Sequence, residues 1–259
     1  MANGGAILER FRLHGKVAIV TGASGGLGGA MAEALAEAGA DLIVASRRRE
    51  RLDAIIEYAD RLGRHCVPVV RDLEIPDQVR EVIRAAEEKF GHLDILVNAA
   101  GTIHRDHPED FPESAWDRVL NLNLKSVFIA CQEAGRRMIA QRSGKIINIA
   151  SMLSFTGGLY VSAYAASKGA VAQLTKALAN EWARYNVQIN AIAPGYFRTE
   201  LTRAIYEDPV RNKEILDRLP AQRWGEPADL KGAVVFLASS ASDYVNGCIL
   251  AVDGGWLGR

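Results

Sequence analysis

The chain has 259 residues, 49% hydrophobic and 24% charged, which is enough apolar material for one large or two small cores. Its 31 basic and 31 acidic side chains cancel to a formal net charge of zero, which argues against broad attraction to nucleic acid or an anionic membrane and leaves small, locally clamped ligands. Cys66, Cys131 and Cys248 are odd in number, widely spaced and in no C-x-x-C arrangement, so neither a disulfide framework nor a thiolate metal site is supported.

The first run, MANGGAILERFRLHGK, lacks the apolar stretch of a signal peptide, and nowhere do about 18 apolar residues run together. A soluble, cytoplasmic protein is expected. Short β-branched runs then recur: KVAIVTG (16–22), DLIVAS (41–46), CVPVVRD (66–72), LDILVNAAG (93–101), KIINIAS (145–151), VQINAIAPG (187–195) and CILAVDGG (248–255). They lack polar alternation, as strands buried on both faces should. Between them, LGGAMAEALAEAGA and PDQVREVIRAAEEKFG carry apolar residues at helical spacing and stop at a Gly, where a left-handed cap is expected. Strand and helix alternating over the whole length predict an α/β fold, a doubly wound, seven-stranded parallel sheet with helices on both faces, and one domain over 1–259. The charged excursion 196–220 breaks the rhythm and reads as a lid or as an ordinary surface helix pair.

The first strand runs into a turn with Gly22, Gly25, Gly26 and Gly28 and then a helix. Glycines allow the tight turn and close backbone approach, and free N–H groups at the helix start hold a pyrophosphate. The second strand ends at Ser46, followed by Arg47 and Arg48, where an NAD site would usually carry an acidic residue. A basic residue there can pair with a 2′-phosphate, so NADP is expected over NAD; the competing reading has these arginines only decorating the next helix.

The fourth strand leads into AGTIHRDHPED (100–110). Ligands gather beyond the carboxyl ends of strands in open α/β sheets, which makes Arg105 a candidate carboxylate clamp. The competing reading is a surface arginine paired with Asp106 or Glu109. A metal site at His104 and His107 is disfavoured, because Pro108 opposes a helical conformation at His107. WDRVLNLNLKSVF reads as a helix with Asn123 inside it, either on the surface or holding a water. Ser151 closes the fifth strand. In SAYAASKGAVAQ, Tyr164 and Lys168 are four residues apart on one helix face, so phenol and ammonium can reach one ligand. A phenol near pKa 10 is a poor proton shuttle at neutral pH, and Lys168, with the positive charge of an oxidised nicotinamide, is suited to lower it.

Thr21-Gly22-x-x-x-Gly26-x-Gly28, Asn98-Ala99-Ala100-Gly101, Asn123, Ser151 and Tyr164-x-x-x-Lys168 together resemble the short-chain dehydrogenase/reductase family over nearly the whole chain. The resemblance implies hydride transfer between a nicotinamide nucleotide and a secondary alcohol or ketone. It implies Tyr164 as acid/base, Lys168 on the nicotinamide ribose, Ser151 orienting substrate and Asn123 holding a relay water. Gly22, Ser24, Gly26, Leu27, Gly28, Ser46, Arg47, Asp72, Leu73, Asn98, Ala99, Gly101, Pro194, Gly195 and Thr199 would complete the nucleotide site, with no metal. Several stretches, most of all in the carboxy-terminal third, resemble members acting at the 5-position of sugar acids of the gluconate or 2-dehydro-3-deoxygluconate type, with Arg105, Ser151 and Tyr164 on the substrate. The family also implies a homotetramer, built through helices starting near Ser114 and Tyr164 and through the last strand. Two alternatives stand beside this: a 3-oxoacyl-[acyl-carrier-protein] reductase, and a non-catalytic dinucleotide-sensing subunit.

Overall fold

The computed structural model describes residues 7–259. Seven parallel strands form one sheet in the order β3-β2-β1-β4-β5-β6-β7: β1 Val17–Thr21, β2 Asp41–Ser46, β3 Cys66–Val70, β4 Ile95–Asn98, β5 Gly144–Ile149, β6 Val187–Pro194 and β7 Ile249–Val252. Each lies within a run expected from the sequence, or within one residue of it. The central strands β1, β4, β5 and β6 are buried at every position, while the edge strands β3 and β7 are half-buried, so the apolar runs reflect burial on both faces.

Side chains alternate between two cores. Ala18, Val20, Leu42 and Val44 point to one face, packed against α1 (Gly26–Glu37), α2 (Asp53–Arg61) and α9 (Lys231–Ala238). Val17, Ile19, Ile43 and Leu96 point to the other, against α3 (Pro76–Phe90), α5 (Ser126–Gln141) and α6 (Ser162–Trp182). The apolar spacing of Val79, Val82, Ile83 and Ala86 makes the buried stripe of α3; Pro76 opens that helix and Gly91 ends it at φ 79°. In α1 the cap is Ala38, right-handed, and Gly39 after it takes the positive φ of 107°.

The helix expected around Asn123 is two helices. Between α4 (Glu113–Leu120) and α5 lies a π turn, Asn121–Lys125. The excursion 196–220 folds as a short turn, Glu200–Thr202, followed by α7 (Arg203–Tyr206) and α8 (Pro209–Arg218). These two helices sit over a core of their own, in which Met152, Ile215, Leu219, Trp224 and Trp256 are buried. Tyr196 packs edge-on against Trp256 at 4.8 Å and Trp224 at 5.4 Å, and Trp224 donates its indole N–H to Asn212 Oδ1 at 2.7 Å. Among the described residues no helix is long and apolar enough to cross a membrane.

Candidate active site

Strand order reverses at β1, whose neighbours are β2 and β4, and the crevice at such a switch point is where open α/β sheets bind ligands. A cavity of about 920 Å³ opens there, beyond the carboxyl ends of the strands. Its floor is the turn from β1 into α1. A Cβ on Gly28 would stand 2.2 Å from Gly22 O, and one on Gly22 would stand 2.8 Å from the Ala100 backbone, so only glycine lets the turn, the helix and the β4 loop approach this closely. Thr21 Oγ1 ties the two loops, accepting from Ala99 N at 3.0 Å and Ala100 N at 3.2 Å. Ser24, Gly26, Leu27, Ala99 and Gly101 share this wall.

One end of the cavity is bounded by Ser46, Arg47, Asp72 and Leu73. Of the consecutive arginines, Arg47 faces the cavity, whereas Arg49 pairs with Asp53 on the helix. Arg51 and Arg71 also line this end and escaped the sequence reading. The signal for Arg71 was strand register: Ser46 lies beside Val70, so the residues following β2 and β3 share an edge.

The other end holds the tyrosine and lysine. Lys168 Nζ lies 5.7 Å from the Tyr164 ring centroid and donates to Ile149 O, the last carbonyl of β5, at 2.6 Å. Lys168 is buried with no carboxylate paired to it among the described residues, and burial pushes its ammonium down to about 8. Burial raises the Tyr164 phenol above its usual value, while a hydrogen bond from Ser151 and the charge of Arg105 pull it back. Among this chain's own groups Ser151 and Arg105 oppose the effect of burial without overcoming it, so the phenol stays above its usual value. Ser151 is itself fixed as the cap of the 152–154 turn, its Oγ accepting from Leu153 N at 3.1 Å.

Arg105 lines the same cavity. It makes no ion pair with Asp106 or Glu109; its Nη2 donates to Leu201 O at 3.2 Å, joining the β4 loop to the start of the 196–220 segment. Thr199, Glu200, Leu201 and Tyr206 of that segment complete the wall. The histidines diverge: His104 lies 5.3 Å edge-on from Phe111, and His107 lies 4.8 Å from Tyr160.

Five expected site residues stand behind the wall: Ser151, which is buried beside Tyr164, and Asn123, Asn98, Pro194 and Gly195. Asn123 is neither on a helix surface nor free to hold a water with its whole amide, being fully buried in the π turn. Its Oδ1 accepts from Thr102 N at 2.8 Å, and its Nδ2 donates to Thr102 O at 2.9 Å and Ser167 Oγ at 3.1 Å. It thereby ties the loop carrying Arg105 to the helix carrying Tyr164 and Lys168. Asn98 donates to Asn148 Oδ1 at 2.9 Å beside Cys131, so its side chain links β4 to β5 and does not line the cavity. Pro194 and Gly195 end β6 against β7, with Gly195 N donating to Val252 O at 3.0 Å and a Cβ there only 2.7 Å from Asp253.

The sheet order, the glycine floor at its switch point and the helix-borne tyrosine and lysine define a doubly wound, dinucleotide-binding type of protein. The family model for the short chain dehydrogenases matches residues 16–210, and the chain belongs to that family. It is 53% identical over 254 residues to a 2-dehydro-3-deoxy-D-gluconate 5-dehydrogenase of Escherichia coli strain K12, covering 98% of this chain and 100% of that one. It is 52% identical to the protein of the same name from Bacillus subtilis strain 168, with the same coverage of both chains. A gluconate 5-dehydrogenase from Burkholderia cenocepacia J2315, solved in complex with NADP and tartrate, superimposes with a TM-score of 0.93 at 42% identity, covering 97% of this chain and 99% of that one.

Proposed function

We propose that this chain is a cytoplasmic oxidoreductase that interconverts a secondary alcohol and a ketone at the 5-position of a sugar acid, of the 2-dehydro-3-deoxygluconate or gluconate type, preferring NADP and accepting NAD. The observation that carries the reading is a single cavity with a glycine floor at one end and, at the other, Tyr164 and Lys168 facing an arginine, Arg105.

The residues present fit a dinucleotide. The Gly22–Gly28 contact leaves room for backbone but not for a side chain, and the N-terminus of α1 opens on the cavity, which suits a pyrophosphate. Arg47 at the end of β2 suits a 2′-phosphate, in keeping with the NADP held by the Burkholderia relative. When bound, the nicotinamide exchanges a hydride with the carbinol carbon.

The chain's own groups handle the proton and the register. Tyr164 takes the hydroxyl proton in oxidation and returns it in reduction. Ser151 holds the phenol oxygen and the substrate oxygen together. Lys168 supplies positive charge below the Tyr164 ring, from a position locked by Ile149 O. Asn123 acts as a positioning residue through Thr102 and Ser167. Arg105 binds the carboxylate, which fixes which carbon of the chain meets Tyr164. The 196–220 segment is the lid, fastened to the substrate loop by the Arg105 to Leu201 bond. The assembly is a homotetramer, for which the exposed Phe128 on α5 and the half-buried edge strand β7 supply contact surface; a monomer by light scattering would remove that part of the proposal.

Arg105→Ala tests the substrate class. The Michaelis constant for a sugar acid is expected to rise by about tenfold or more, the loss of a charge-assisted bond, with little change for an uncharged polyol. Equal effects on both substrates would remove the carboxylate from the proposal.

A further inference from the structure

We infer that Glu74 tunes this chain's choice between nucleotides with and without a 2′-phosphate, by competing with that phosphate for Arg47, and that Arg118 positions Glu74 for the task. The inference rests on the reading of Arg47 as the 2′-phosphate contact.

Glu74 Oε1 lies 3.6 Å from Arg47 Nη1, and the same oxygen accepts from Arg118 Nε at 3.2 Å. One carboxylate oxygen is thus shared between an arginine of the cavity wall and an arginine of α4 that takes no part in the wall. The backbone that carries Glu74 is fixed, and its carboxylate is held from the far side by Arg118. Glu74 N donates to Asp72 Oδ1 at 3.0 Å, Ile75 N donates to Asp72 O at 3.1 Å, and α3 starts directly afterwards at Pro76. The Glu74 side chain is 26% exposed and that of Arg47 57%, so Arg47 is the partner free to swing. Arg71, the neighbouring wall arginine, is already engaged by Glu81 and by Val70 O.

An exposed ion pair of this kind is weak, whereas an arginine on a phosphate dianion makes stronger, charge-assisted bonds. A 2′-phosphate therefore draws Arg47 away from Glu74, and the lost pair is charged only to the phosphorylated nucleotide. Arg118 stays on Glu74 throughout and offsets the negative charge that would otherwise face the phosphate. Neutralising Glu74 should favour the phosphorylated nucleotide. Removing the Arg118 charge should do the opposite, because an uncompensated Glu74 holds Arg47 harder.

The test is the dissociation constants of NADP+ and NAD+, measured without substrate by tryptophan fluorescence or calorimetry, for wild type, Glu74→Gln, Arg118→Gln and Arg47→Gln. Glu74→Gln is expected to move the Kd ratio toward NADP+ by about two- to fivefold, and Arg118→Gln to move it toward NAD+ by a similar factor. A merely structural role would weaken both nucleotides together and leave the ratio in place, which would overturn the inference. If Arg47→Gln abolishes the NADP+ preference while the Glu74 and Arg118 variants leave the ratio unchanged or shift it in the same direction, the inference fails and the nucleotide reading stands. If Arg47→Gln leaves the ratio unchanged, both fall.

Discussion

The Tyr164 phenol is raised by burial and lowered by the Ser151 hydroxyl and the Arg105 guanidinium. Removing the Ser151 bond therefore has a defined sign: the folded-state pKa of Tyr164 goes up, and a higher pH is needed to ionise it. In Ser151→Ala the alkaline rise of kcat/KM for alcohol oxidation is expected to move to higher pH, as read from the pH–rate profile; a fall in rate with the limb unmoved would confine Ser151 to substrate binding. At this scale the sequence was legible wherever spacing alone joins two groups. Tyr164 and Lys168 share a helix face by their separation of four, and Arg105 follows a strand end, so both reach the cavity. Asn123 and Asn98 were not legible in the same way. Their partners, Thr102, Ser167 and Asn148, are 21 to 50 residues distant in the chain, and no local period records such pairings.

Among the elements, the strands could be read because burial on both faces leaves runs of β-branched residues, and α3 because its stripe, proline and glycine agree. The π turn at Asn121–Lys125 left no such mark: a single turn is too short to show a period of its own, and Asn123 is buried within it. The 196–220 segment announced itself only by breaking the alternation. Its helices rest on the Trp224 and Trp256 cluster instead of on the sheet, which makes them a unit able to loosen without the rest. Asp208 caps α8, accepting from Val210 N at 2.9 Å and Arg211 N at 3.1 Å. Asp208→Ala is expected to cost about 1 kcal/mol, seen as faster amide exchange over 209–218 with the sheet protected as before. Faster exchange spread over β1 and β4 would mean that the segment does not open on its own.

For the molecule as a whole, two apolar layers and seven strands converge on one crevice, and the glycine floor makes that crevice deep enough for a nucleotide. Binding to the folded state alone adds about 2.7 kcal/mol of stability at a hundred times Kd, which for a chain of this size is a rise in Tm of about 5 to 10 °C. Saturating NADP+ should produce that rise in wild type and none in Gly28→Ala, whose Cβ would meet Gly22 O; an equal rise in the variant would place the nucleotide elsewhere. The central claim is sugar-acid turnover through Tyr164, and it is tested most directly by NADPH oxidation with 5-ketogluconate and with the corresponding 3-deoxy-2,5-diketo acid, in wild type and Tyr164→Phe. Turnover by wild type of at least one of these, lost by about a hundredfold or more in Tyr164→Phe while NADPH still binds, is the expected result. No turnover of either by wild type, or activity surviving in Tyr164→Phe, would contradict it.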